Sequence, residues 1–249
     1  MIGVNVLGSC YGSTGPASIA GRFPRITVRD IVRAQRRALS QIGVERLDAV
    51  IGGSLGGMQA LQWALDAPER VGHAVVVGAH DHQSAMGIAL NALQRDAIAL
   101  DSQQGLRLAR KIAMLSYKSD DLLRERHGRR ADRGGPARFD VEGYLDHQAD
   151  LFASRMEPRS YVTLTHAMDS FDLSRHGARD AAPRLTFVGI GSDWLFRPTD
   201  VRAAAERLAR SGFDSRYVEL DSSHGHDAFL AEAPALARLI ASRLPAAVP

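Results

Sequence analysis

The stretch Val50-Ile51-Gly52-Gly53-Ser54-Leu55-Gly56-Gly57-Met58 leaves this chain little choice of local structure. Leu47, Ala49, Val50 and Ile51 read as the end of a buried strand, and Met58-Gln59-Ala60-Leu61-Gln62-Trp63-Ala64-Leu65 reads as a helix. A strand that turns at once into a helix forces the corner residue, Ser54, into a strained backbone region, and side chains two positions to either side would collide there. Gly52 and Gly56 remove them, so the corner spells G-x-S-x-G. Such a corner lifts the Ser54 hydroxyl to the C-terminal edge of a sheet. It also aims the helix N-terminus, with its N–H groups, at developing negative charge. The pattern suits a serine nucleophile.

The rest of the chain alternates around this corner. Val4-Asn5-Val6-Leu7-Gly8 predicts a short strand, followed by a turn-rich loop, Gly8-Ser9-Cys10-Tyr11-Gly12-Ser13-Thr14-Gly15-Pro16. Thr27, with Asp30 after it, caps a helix whose apolar stripe is Val28, Ile31, Val32, Ala38, Leu39 and Ile42 and which Gly43 closes. The helix after the corner ends near Asp66-Ala67-Pro68, and His73-Ala74-Val75-Val76-Val77-Gly78 is a further strand. Strand, helix, strand, helix, strand implies a parallel sheet with right-handed crossovers. From about Ser84 to Arg175 the alternation stops. Residues 85–100, 105–115, 141–155 and 158–168 carry helical periodicity, and the Arg- and Gly-dense residues 124–136 form a solvated connection. This predicts an all-helical insertion serving as a lid. Residues 185–190 and 215–220 then read as strands, and 199–211 and 228–243 as helices. The domain expectation is therefore an α/β core from residues 1–83 and 176–249, with the helical lid spanning 84–175.

Composition bounds the class. With 249 residues, 45% of them apolar, the chain can bury one substantial core plus an insertion. It has no apolar run of membrane-spanning length and no basic segment leading into a signal core, so a cytoplasmic location is expected, with no membrane partner. The single cysteine, Cys10, cannot form an internal disulfide and suits a reducing compartment. A net charge of +3 is mild and forms no basic stripe, so no nucleic-acid partner is expected.

A serine nucleophile needs a base in reach and a carboxylate to orient that base. In doubly wound sheets of this type the order along the chain is serine, acid, histidine, each on a loop at a strand's C-terminal end. Gly191-Ser192-Asp193-Trp194 follows the strand at 185–190 and makes Asp193 the candidate acid. Asp221-Ser222-Ser223-His224-Gly225-His226-Asp227 follows the last strand. Of its two histidines His226 is the candidate base, because Gly225 permits a tight turn and the helix from Ala228 would anchor it. His224-Gly225-His226-Asp227 also has the look of a metal fragment, but no other His, Cys or Glu cluster offers the remaining ligands, so no metal is expected. Cys10 lacks a designated base and reads as a small apolar residue. The basic run 124–133 reads as solvated surface, with attraction of a phosphorylated cofactor as its functional alternative.

Several further stretches carry a likeness. They are Val4-Asn5-Val6-Leu7-Gly8-Ser9-Cys10-Tyr11-Gly12-Ser13-Thr14-Gly15-Pro16, Thr27-Val28-Arg29-Asp30, and Gly52-Gly53-Ser54-Leu55-Gly56-Gly57-Met58-Gln59-Ala60. Ala113-Met114-Leu115-Ser116-Tyr117-Lys118-Ser119, Ala167-Met168-Asp169-Ser170-Phe171-Asp172, Ser192-Asp193-Trp194-Leu195-Phe196 and Gly225-His226-Asp227-Ala228-Phe229-Leu230 complete the set. Together they resemble the homoserine O-acyltransferase family of the α/β-hydrolase fold, which serves methionine synthesis, and the likeness runs over nearly the whole chain.

The resemblance implies Ser54 as nucleophile, Asp193 as orienting acid and His226 as base. It further implies that Arg95 grips the amino-acid carboxylate, that Asp227 lies near the substrate amine and that Tyr117 lines the substrate tunnel. The residues alone would make Arg95 a helix-surface arginine and Asp227 a helix cap. The implied reaction uses acetyl-CoA, or succinyl-CoA, as co-substrate with no bound cofactor, and L-homoserine, or L-serine, as acceptor. The family also implies a homodimer formed through the helical lid. The chain departs from the family pattern at its start, where members carry further strands and a loop ahead of Val4 that donates the second oxyanion-hole N–H. A sheet short of its leading strands, with exposed strand edges, is therefore expected, and Leu55 N–H is the identifiable oxyanion donor. A small-ester serine hydrolase and an inactive fragment are the competing readings.

Overall fold

A computed structural model describes residues 1–133, 135–175 and 183–241. In chain order its elements are α1 (Val28–Gln41), β1 (Val50–Gly53), α2 (Leu55–Asp66), β2 (His73–Val77), α3 (Ala85–Leu100), α4 (Ser102–Tyr117), α5 (Asp120–Arg126), β3 (Ala131–Asp132) and β4 (Gly135–Phe139). There follow α6 (Asp140–Ala153), α7 (Pro158–Asp169), β5 (Arg184–Ile190), α8 (Pro198–Arg210), β6 (Ser215–Leu220), α9 (Ala228–Ala231) and α10 (Ala233–Ala241). No helix among the described residues is long and apolar enough to cross a membrane.

The chain forms two compact units. One comprises Val28–Gln83 and Ser170–Pro249 and holds the sheet; the other comprises Met1–Thr27 and Ser84–Asp169 and holds the helices of the middle section. In the sheet unit four parallel strands run in the order β1-β2-β5-β6. Register pairs Val77 with Val188 and Ile190 with Leu220, so alternate residues share a face. Val75, Val77, Val188, Ile190 and Leu220 pack there with Ile240 of α10, joined by Leu236 and Leu239. The inner strands β2 and β5 are buried on both faces, as expected of a parallel sheet covered by helices, whereas the outer β6 exposes Arg216 and Glu219. The helix after the corner is buried from Gly57 to Leu65. A polar seam ties it to α1: Trp63 Nε1 donates to Gln35 Oε1 at 2.8 Å, and Gln35 Nε2 donates to Gln59 Oε1 at 2.6 Å.

Three expectations need correction. Val4-Asn5-Val6-Leu7-Gly8 is not a strand. Its polar groups close locally instead: Gly8 N–H donates to Thr14 O at 2.8 Å, and Asn5 Nδ2 donates to the carbonyls of Cys10 and Tyr11 at 2.6 and 3.1 Å. These bonds fold the segment onto the turn-rich loop that follows it rather than onto a neighbouring strand. Residues 84–175 are not all helical, because β3 and β4 pair as an antiparallel hairpin within the Arg- and Gly-dense stretch. The same stretch begins inside α5, whose first turn is capped by Ser119 Oγ accepting from Leu122 N–H at 3.1 Å. The closing helix breaks at Glu232, where φ is −119° and ψ 42°, into α9 and α10. Its expected end at 242–243 and the expected domain boundary at 176 lie outside the described residues.

Candidate active site

Each candidate catalytic residue follows the C-terminal end of a strand of the one parallel sheet, so all three belong to the same rim: Ser54 after β1, Asp193 after β5 and His226 after β6. Ser54 has φ 54° and ψ −122°, a conformation rare for a residue with a side chain. The surrounding fold holds it there. Its N–H donates to Val77 O at 2.9 Å, and its carbonyl accepts from Met58 N–H at 3.1 Å, which opens α2. The glycines divide their work unevenly. A Cβ on Gly52 would stand 2.1 Å from Gly56 O, whereas one on Gly56 would meet nothing within 4 Å. The collision anticipated on both sides of Ser54 therefore belongs to position 52. Leu55 is the first residue of α2, so its N–H belongs to the helix's first turn.

Asp193 is oriented by its own loop. Its N–H donates to Ile190 O at 3.0 Å, and its Oδ1 accepts from Leu195 and Phe196 N–H, both at 2.9 Å. The remaining oxygen, Oδ2, meets His226 Nδ1 at 2.7 Å, in a pair where each residue is only 2% exposed. With Nδ1 bound to the carboxylate, Nε2 is the nitrogen that takes and returns a proton. The imidazole lies between two rings, stacked on Phe196 at 5.2 Å between centroids and edge-on to Phe229 at 5.6 Å. Phe229 also covers Gly53, where a Cβ would approach its ring to 2.7 Å, so one aromatic side chain touches both the serine corner and the base. At the end of β2, Gly78 has φ +53°, and a Cβ there would come within 3.3 Å of His226 Cε1. Sequence reasoning assigned no role to Gly78, Phe196 or Phe229. The two phenylalanines lay inside the resembling stretches, and only the fold reveals what they touch.

His224, the other histidine of the loop, has a different carboxylate: its Nδ1 lies 2.9 Å from Glu232 Oε1. Hydrogen bonds from Ser222 and then from His224 hold the Glu232 carboxyl below its usual range. His224 and His226 are thus tied to separate acids. The group of metal-type ligands among the described residues is His80, Asp81 and His82, with ligand atoms within 4.8 Å of one another. It fits a cation poorly, because Arg207 clamps the buried Asp81 carboxylate at 2.6 and 2.8 Å. Cys10 Sγ rests 3.4 Å from Arg155 O and 3.5 Å from Met156 Sδ, and neither is a base.

Of the residues named through the family, Asp227 closes the short 3-10 turn Gly225–Asp227 and is half-buried, and its side chain does not cap α9. In the helical unit, Arg95 of α3 pairs with Asp169 at 2.7 Å, and Asp169 also accepts from Asn91 Nδ2 at 2.7 Å. Arg95 is thus a half-buried, paired arginine rather than a surface one. Tyr117 ends α4, with the Arg110 guanidinium 5.7 Å from its ring centre.

The sequence matches the alpha/beta hydrolase fold family over residues 1–233. It is 40% identical to the homoserine O-succinyltransferase of Nitrosospira multiformis across 93% of this chain and 71% of that protein. Identity to the homoserine O-acetyltransferase of Gluconobacter oxydans is also 40%, across 95% of this chain and 70% of that protein. The chain belongs to the homoserine O-acyltransferase family. Its fold agrees with the crystal structure of homoserine O-acetyltransferase from Staphylococcus aureus at a TM-score of 0.82 and 29% identity, covering 98% of this chain and 72% of that one. Within the homoserine O-acyltransferase family the lengths differ, since this chain spans about seven-tenths of each of these relatives.

Proposed function

We propose that this protein moves an acetyl group from acetyl-CoA to the side-chain hydroxyl of L-homoserine through an acyl-enzyme on Ser54. Family membership supports the substrates. The observation that carries the chemistry is the buried His226–Asp193 pair at the rim that also bears the strained Ser54.

In the first half-reaction His226 Nε2 removes the Ser54 hydroxyl proton as Oγ attacks the thioester carbonyl. The carbon–sulfur bond breaks, and the coenzyme A sulfur leaves with the proton that His226 returns. In the second, His226 deprotonates the homoserine hydroxyl, that oxygen attacks the acyl-serine, and Ser54 recovers its proton. Asp193 stabilises the imidazolium in both halves, and Leu55 N–H at the start of α2 stabilises the oxyanion. Arg95 supplies the carboxylate grip, which a guanidinium can make with two parallel bonds, Asp227 lies near the amine, and Tyr117 lines the substrate tunnel.

Succinyl-CoA is the second reading for the donor, because a relative named for succinyl transfer matches at the same 40% identity as one named for acetyl transfer. Thiol release from each donor, with L-homoserine or L-serine as acceptor, tests the assignment. Release from acetyl-CoA that depends on homoserine supports it. Preference for succinyl-CoA transfers the proposal to that donor, and donor breakdown indifferent to either amino acid identifies a hydrolase instead.

A further inference from the structure

The base His226 lies in the 3-10 turn Gly225–Asp227, which ends the irregular segment after β6, and the bond from its Nδ1 to Asp193 ties this loop to the acid loop. A second tie joins the same two loops. Ser192, the residue before the acid, donates its hydroxyl to Ser222 O at 2.6 Å and accepts from Gly225 N–H at 2.9 Å. One hydroxyl thus grips the base loop on both sides of His224, at a point next to His226. The loop is braced independently from its far side by Glu232, which receives Ser222 Oγ and His224 Nδ1. Because the Asp193 loop is itself locked by the N–H groups of Leu195 and Phe196, Ser192 refers the position of the imidazole to a rigid frame.

From this geometry we infer that Ser192 is a positioning residue for the base: through Ser222 and Gly225 it keeps His226 aligned with Asp193 in both half-reactions. The inference rests on Ser54, Asp193 and His226 acting as a triad. A hydroxyl bridging two loops also serves a merely structural purpose, so the test must read the base and not the fold alone.

The test uses the full chain and follows Ser54 acylation by p-nitrophenyl acetate and by acetyl-CoA between about pH 5 and 9. Ser192→Ala should slow acylation and transfer to homoserine in the same proportion, about tenfold, because both steps use His226. The homoserine KM should stay the same. The pH profile of acylation should change as well, because the base is held less firmly against Asp193. Ser192→Thr keeps the hydroxyl and should restore both rate and pH profile. Ser192→Cys, close in size and a weak hydrogen-bonder, should behave like the alanine variant and serves if Ser192→Ala does not fold. Wild-type rates and pH profile in Ser192→Ala or Ser192→Cys overturn the inference, as does a loss confined to melting temperature or to KM. A Ser54→Ala chain that still becomes acylated overturns the triad reading itself, and that result is separable because it involves no change at position 192.

Discussion

Replacing Asp193 by asparagine separates orientation of the base from integrity of the loop. Asp193 Oδ1 accepts from two backbone N–H groups at 2.9 Å, while Oδ2 meets His226 Nδ1 at 2.7 Å. In Asp193→Asn the amide oxygen can keep both backbone bonds, so the loop holds its shape. The amide nitrogen then faces Nδ1 as a donor, which forces the imidazole proton onto Nε2, the nitrogen that must accept from Ser54. The wrong tautomer in a comparable serine–histidine–aspartate system costs about 10⁴ in kcat, or about 5 kcal/mol of transition-state stabilisation. Stability should change little. Asp193→Ala, by contrast, leaves the two N–H groups without their acceptor and should also destabilise the fold by about 3 kcal/mol. Stopped-flow release of coenzyme A measures acylation, and urea unfolding measures stability. An Asp193→Asn chain within about tenfold of wild-type kcat would refute the assignment of Asp193 as the orienting acid.

Other perturbations follow from the same coordinates. Gly52→Ala places a Cβ 2.1 Å from Gly56 O and should destabilise by about 3 kcal/mol or more with loss of the burst, whereas Gly56→Ala should stay within about 1 kcal/mol of wild type, both read by urea unfolding. Burial lowers the His80 pKa from 6.5 to about 4, so below its usual pKa the unfolded chain binds a proton that the folded chain refuses. Stability should therefore fall as pH drops from 6.5 toward 4, by up to about 3 kcal/mol, and His80→Leu should flatten that part of the profile. Arg95→Ala should raise the homoserine KM about tenfold or more and leave the acyl-enzyme burst within about twofold; an unchanged KM rejects the carboxylate role.

What could be read from the chain depended on whether the cause was local. The Ser54 corner was legible because its neighbours alone impose it, and β2 and β5 were legible because buried parallel strands are largely continuous apolar runs. Asp193 and His226 followed from strand ends and chain order. Val4-Asn5-Val6-Leu7-Gly8 misled because an apolar run predicts a strand only where a partner pairs with it, and here Asn5 and Gly8 close the segment on itself. The β3–β4 hairpin was hidden in a stretch whose arginines and glycines signal solvent. The break at Glu232 was hidden because the helical pattern continues through it, while its carboxylate turns back to Ser222 and His224. Phe196 and Gly78 act on His226 only through tertiary packing, which no spacing in the sequence records, whereas Phe229 reaches it from three residues along the chain.

Mass spectrometry of the chain quenched during turnover with acetyl-CoA, without acceptor, tests the central assignment most directly. The peptide bearing Ser54 should carry one acetyl group, which L-homoserine should discharge as O-acetylhomoserine and which Ser54→Ala should abolish. An acetyl group on another residue, or persistent labelling of Ser54→Ala, would contradict it.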